Sequence, residues 1–359
     1  EKVNVFIGNN ANNLSIADYN GDGKPDIAAL FSYANSIKIL KNTSSAGNIS
    51  FDPPVIISIT LPLGRPQFSV SGDVDGDGLI DLVISNEADS TVSVIKNGST
   101  GNTISFATPV KYSMGELPAC VALTDLDGDL KSDIIVTSLS SNTISILKNS
   151  SSVGSISFDP KIDIPAGTQP NYISIADLDG DLKNDLVIAN QGSNTISTFL
   201  NNSSPGNISF APKTDHIVST QADTHPISIA AGDADGDGKA DILVGCSIYG
   251  MYPNGTMFLL KNNSSPGNIS FSSNSKFTYG APCYNVSFCD MQGDAKPDII
   301  AVTPNDFSSP IAVYQNKIGE LLNIELCPTL GNTTLDAGID ANNYQWQVST
   351  DSINFSNIP

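Results

Sequence analysis

The chain has no apolar run long enough to cross a membrane, so direct insertion is not expected. It has only 17 Lys and Arg against 37 Asp and Glu, and no basic patch. Nucleic acid is therefore excluded as an expected partner. Histidine is nearly absent, with His216 and His225 alone, and there is no Gly-x-Ser-x-Gly elbow. That leaves little for acid, base or nucleophilic catalysis, and no enzyme is expected. Aromatic residues make up 7%, which weighs against a multivalent sugar-binding surface. The five cysteines show no paired zinc spacing. Cys120, Cys246, Cys283 and Cys289 lie within the repeats described below and Cys327 lies beyond them. Buried thiols suit Cys246 and Cys289, and a pairing of Cys283 stays open. The opening residues lack a basic start followed by an apolar core, so the chain reads as a mature form. Helical periodicity is missing throughout.

What is present is acid, concentrated in six copies of one nine-residue loop. They read DYNGDGKPD (18–26), DVDGDGLID (73–81), DLDGDLKSD (125–133), DLDGDLKND (177–185), DADGDGKAD (233–241) and DMQGDAKPD (290–298). These loops hold 22 of the 37 acidic residues. Six bound dications would lift the formal charge from −20 to about −8, so most of the acidity is ligand charge. Alternate carboxylates over a Gly turn offer oxygens to one hard cation, and calcium, which accepts six to eight, fits best. The expected ligands are Asp18, Asn20, Asp22 and Asp26; Asp73, Asp75, Asp77 and Asp81; and Asp125, Asp127, Asp129 and Asp133. The later loops supply Asp177, Asp179, Asp181 and Asp185; Asp233, Asp235, Asp237 and Asp241; and Asp290, Gln292, Asp294 and Asp298. Asp and Gly also make ordinary turns. Six copies, each with acid at positions 1, 5 and 9, weigh against that as the whole explanation. The expectation is up to six structural calcium ions.

The loops recur at steps of 55, 52, 52, 56 and 57 residues, which marks stacked or radial repeats. Each repeat reads alike. An apolar segment enters the loop, an apolar run leaves it, and an alternating run such as TVSVIKN (91–97) follows. A polar turn and a fourth short run close the unit, as in NNSSPGNISF (201–210). Period-two alternation between Gly, Asn, Ser and Pro predicts strands. Four antiparallel strands per fifty residues predict an all-β chain of β-propeller blades. EF-hands are excluded, because Ala29 and Ile84 stand where a twelfth-position Glu would be.

Over about residues 12–318 these in-phase loops resemble FG-GAP (VCBS-type) repeats, the blades of integrin α-subunit propellers and of many secreted bacterial proteins. The resemblance implies calcium in the hairpin between the first two strands of a blade, with a structural role. Six blades are preferred and seven stay open. The sixth repeat lacks its fourth strand, and KVNVFIG at residues 2–8 looks like a fourth strand without its other three. Pairing the two ends is expected to close the ring. Residues 1–320 thus form the expected propeller. Residues 321–359, with Cys327 and the YQWQ run at Trp346, resemble the first part of an immunoglobulin-like β-sandwich of Bacteroidetes surface proteins. That resemblance implies a longer multidomain chain.

In such a meander the Asp loops and the polar turns share one end. All length variation falls at the other, in residues 61–68, 219–226, 247–255 and 304–310. Function gathers in loops on a rigid scaffold. Arg65, Asp223, His225, Tyr249, Tyr252 and Phe307 are the candidate ligand-binding residues there. The expected function is a secreted or cell-surface recognition and adhesion module binding a glycan or a cell-surface or matrix protein. The alternative is a non-binding spacer or filament subunit of a large surface protein. Sequons such as Asn42, Asn97, Asn207, Asn268 and Asn332 fall largely in the polar turns, where Asn is also a good turn residue.

Overall fold

The computed structural model describes residues 7–8, 11–59, 65–219, 224–248, 255–279, 283–302, 311–316 and 346–348. Strands run through it, and no helix occurs among the described residues. The first sheet holds β1 (Asn13–Ala17), β2 (Asp26–Phe31), β3 (Ser36–Leu40) and β4 (Val55–Ser58). The second holds β5 (Pro66–Gly72), β6 (Asp81–Asn86), β7 (Thr91–Ile95) and β8 (Val110–Ser113). The third holds β9 (Pro118–Thr124), β10 (Asp133–Ser138), β11 (Thr143–Leu147) and β12 (Ile162–Pro165). The fourth holds β13 (Pro170–Ala176), β14 (Asp185–Asn190), β15 (Thr195–Phe199) and β16 (Thr214–Ile217). The fifth holds β17 (Thr224–Gly232), β18 (Asp241–Ile248), β19 (Gly255–Asn262) and β20 (Phe271–Tyr279). The sixth holds β21 (Asn285–Cys289), β22 (Asp298–Val302), β23 (Ile311–Asn316) and β24 (Trp346–Val348).

Each sheet is a four-stranded meander in chain order. The chain divides into two compact units, Glu1–Pro170 with Ser203–Ile208, and Asn171–Asn202 with Ser209–Pro359. In the first unit one core lies between the first and second sheets, around Ile37, Ile39, Leu82 and Ile84. Another lies between the second and third, around Val83, Val92, Ile134 and Val136. The second unit repeats this, with Val187, Ile196, Ile242 and Val244 in one core and Leu243, Met257, Ile299 and Ala301 in the next.

The second strand of a sheet therefore faces two cores. In β6, Leu82 and Ile84 point one way and Val83 the other, and every residue of the strand is buried. That is why this strand reads as an unbroken apolar run, while the outer β4, β8 and β12 are mostly exposed.

One expectation is corrected here. The fourth strand of the sixth sheet is β24, which pairs with β23 through Tyr314↔Val348 and Asn316↔Trp346. The strand expected in that position was residues 2–8. Ile7 instead lies against the first sheet, where the Lys38 ammonium donates to its carbonyl at 2.7 Å. Residues 1–6 lie outside the described residues. The physical reason is that the YQWQV run carries its own strand alternation. It is also the next described strand after β23 in the chain, so it can take that exposed edge.

Candidate metal loops at the seams between sheets

Each Asp loop is wound around its first carboxylate. In the second loop Asp73 Oδ1 accepts from Gly76 N–H and Oδ2 from Gly78 N–H, both at 2.8 Å. The same pair of bonds recurs at Asp18, Asp125, Asp177, Asp233 and Asp290. The winding requires a left-handed residue at position 4, always Gly, and a second at position 6. Position 6 is Gly in three loops, but Leu130 (φ 67°), Leu182 (φ 71°) and Ala295 (φ 64°) in the others.

Position 9 is a bracket. Asp81 is fully buried; its Oδ2 accepts from Val74 N–H at 3.0 Å and its Oδ1 from Asn97 N–H at 2.7 Å. Burial outweighs these donors and raises the carboxyl from the usual 3.8 to about 6. Burial does the same at Asp133 and Asp185, to about 6, and at Asp241, to about 7.

The Asn that receives this bracket closes the third strand, and it reaches into the preceding sheet. The Asn97 side-chain amide donates to Tyr19 O and to Ile80 O, each at 2.9 Å. Asn149 repeats this with Val74 O and Ser132 O, and Asn262 with Leu178 O and Ala240 O. Asn316 does so with Ala234 O and Pro297 O. The acceptor is always position 2 of the preceding loop. Its side chain (Tyr19, Val74, Leu178 or Ala234) is buried in the core shared with the next sheet. The first, second, fourth and fifth loops are thus each held from their own sheet and from the following one. The available signal in the sequence was an Asn closing the third strand of every repeat, 24 residues after the first Asp in the first four.

Positions 1, 3 and 9 converge. In Asp73/Asp75/Asp81, Asp125/Asp127/Asp133, Asp177/Asp179/Asp185 and Asp233/Asp235/Asp241, one oxygen per residue lies within 4.8 Å of the others. Oxygens sharing one calcium at 2.3–2.6 Å lie within about 5 Å of each other, so the spacing fits that ion. A second observation supports the fit: Asp75 Oδ1 is buried and has no hydrogen-bond partner. An orphan carboxylate oxygen inside an acidic cluster needs a cation or a donor. These four Asp groups could bind metal ions. Position 5 (Asp77, Asp129, Asp181 and Asp237) flanks each group and accepts from the backbone N–H at position 7.

The outer loops differ. Asn20 Nδ2 donates to Asp22 at 3.0 Å and Gln292 Nε2 to Asp294 at 3.1 Å. An amide there takes the place of the third carboxylate. Asp18 and Asp26, and likewise Asp290 and Asp298, keep the loop-winding and bracket bonds of the other repeats.

The expected ligand residues fare unevenly. Arg65 lies at the start of β5, at the end opposite the Asp loop. It is exposed and left-handed (φ 69°), and its guanidinium sits 3.6 Å from Glu87. His225 lies at the corresponding end of β17, with Nδ1 2.8 Å from Gln191 O. Asp223, Tyr249, Tyr252 and Phe307 lie outside the described residues. His216 packs edge-on against Phe271, and burial lowers its pKa.

Among the turns, Asn97 is fully buried with both amide hydrogens donated, so its sequon is closed in the folded chain. Asn207 and Asn268 are exposed.

Comparison with known proteins agrees with this build. Residues 73–136, 125–188 and 177–244 match the FG-GAP-like repeat. No curated protein sequence matches the chain. A protein from Lactobacillus plantarum superposes with a TM-score of 0.55 at 13% identity, over 86% of this chain and 81% of its own. BBS1N in complex with ARL6DN gives 0.51 at 13% identity, over 86% and 79%. The Nup170 NTD–Nup53 complex of Chaetomium thermophilum gives 0.50 at 11%, over 84% and 47%. At such identities the likeness shows the fold alone. Residues 73–244 are thus similar to FG-GAP-like repeats, and the four-stranded sheets are the blades of a β-propeller.

Proposed function

We propose that this chain is a calcium-stabilised, non-catalytic recognition module of a secreted or cell-surface protein. It engages a glycan or a surface protein through the end of the sheets opposite the Asp loops. The observation that supports calcium is the buried, unpartnered Asp75 Oδ1 inside a three-carboxylate group. Asp75 and its counterparts would hold the ion, which supplies positive charge among the carboxylates and fixes the seam between adjacent sheets. The Asp-loop end is occupied by these bonds. The opposite end carries all the variation in loop length and is left to meet a partner.

A second reading, a non-binding spacer within a larger surface protein, draws on the near-identical polar turns, which repeat without specialising. A screen of the purified chain against glycans and matrix proteins, run in calcium and in EDTA, separates the two. The module reading expects a calcium-dependent hit that weakens when residues 249–253 are replaced by Gly and Ser. A folded, calcium-loaded sample that binds nothing supports the spacer.

A further inference from the structure

The third and fourth loops form a natural pair. They read DLDGDLKSD and DLDGDLKND and differ only at Ser132 and Asn184. Their bonding matches as well. Asp127 Oδ2 accepts from Gly206 N–H at 3.0 Å, and Asp179 Oδ2 accepts from Gly267 N–H at 2.6 Å. The difference comes from the strand behind them. In the third repeat Lys148 precedes the closing Asn, and its ammonium bridges Asp127 and Asp129 at 3.0 Å each. In the fourth repeat that residue is Leu200.

The lysine recurs in the other two loops with Asp at position 3. Lys96 bridges Asp75 and Asp77, the latter at 2.9 Å, and Lys261 contacts Asp235 and reaches Asp237 at 3.4 Å. Where position 3 is Gln292, the counterpart is the neutral Gln315, which donates to it. Where position 3 is Asn20, Lys41 turns away to Asn102 O at 2.8 Å. The fourth loop alone combines Asp at positions 1, 3, 5 and 9 with no ammonium from this strand. Lys183 approaches Asp181 from the solvent side, at 3.9 Å.

We infer that the residue preceding the closing Asn grades cation affinity from loop to loop, and that Leu200 makes the fourth loop the first to load. This rests on the calcium reading above. An ammonium lying between the carboxylates of positions 3 and 5 neutralises them and holds space a cation would need. A divalent ion entering the second, third or fifth loop must displace it and then meet its charge nearby. The fourth loop has the same carboxylates, oriented by backbone N–H groups that leave their charge in place. Removing Lys at this position is a change in charge within the site, so its effect is large. Lys96, Lys148 and Lys261 are in this sense affinity-determining residues.

The test is calorimetric titration of the EDTA-stripped full chain with calcium chloride, with the melting temperature in EDTA as a folding control. The wild type is expected to show one site tighter than the rest by about tenfold or more. Leu200→Lys should remove it, Asp179→Asn should also remove it, and Lys148→Leu should add a second tight site. Because Lys148→Leu acts on a different loop, it tests the idea even if Leu200→Lys folds poorly. Calcium uptake with sites that neither variant changes overturns the grading and leaves the calcium reading standing. No uptake at millimolar calcium overturns both.

Discussion

The side-chain amide of Asn149 donates to the main-chain carbonyl of Val74 at 2.8 Å, across the seam between the third and second sheets. Its second hydrogen goes to Ser132 O at 2.8 Å. Asn149→Ala leaves two buried carbonyls unpaired, and the expected cost is about 3 kcal/mol. Urea unfolding measures it. A loss below about 0.5 kcal/mol would show that the bond contributes nothing net.

Calcium removal should lower stability through every loaded seam at once. With each site filled well above its dissociation constant, EDTA is expected to reduce the melting temperature by several degrees. A scanning-calorimetry shift under about 2 °C would count against structural calcium.

The buried position-9 carboxyls set a pH dependence with a definite sign. Asp81, Asp133 and Asp185 titrate near 6 and Asp241 near 7 in the fold, all above the ordinary 3.8. Between these values the folded chain holds protons that the unfolded chain has released. Stability without metal therefore falls as pH rises from about 4 to about 7. Melting in EDTA should be higher at pH 5 than at pH 7.5. Calcium, which offsets the ionised form, should protect most above pH 7 and progressively less below 6. Protection by calcium that is equal at pH 5 and pH 7.5 would contradict this.

Leu130 and Leu182 occupy left-handed positions with their side chains almost wholly in solvent, 94% and 93% exposed. A left-handed backbone costs a non-Gly residue about 1–2 kcal/mol, and the greater entropy of an unfolded Gly returns part of that. Leu130→Gly and Leu182→Gly should each stabilise the chain by about 0.5–1 kcal/mol in chemical denaturation. Destabilisation by either would mean that the exposed Leu packs on something in solution.

The loops and their strands were legible because both signals are local. Asp at alternate positions over Gly21 or Gly76 announces a wound turn, and DLVIS at 81–85 announces a strand buried on both faces. The closing Asn was harder to read. Asn97 resembles any turn Asn, and its role depends on Tyr19 O, 78 residues away in sequence and close only once two sheets stack. Lys148 likewise reads as an ordinary surface lysine until folding sets it against Asp127 and Asp129. The expected strand at residues 2–8 had the right alternation for the edge of β23. Alternation alone does not say which of two candidate strands takes an edge, and Trp346–Val348 took it.

The bonds of Asn97, Asn149, Asn262 and Asn316 all run the same way, from a sheet to the one before it. Assembly of the repeats is therefore polar, as in a row of clasps each fastened by its successor. A lesion at one Asn should be felt upstream: Asn149→Ala would free the amide hydrogens of the loop at 73–81 to exchange with solvent and spare the loop that follows. Order within the row matters too. A repeat moved elsewhere in the chain keeps its own strands but must find a neighbour whose position-2 residue fits the core it now faces.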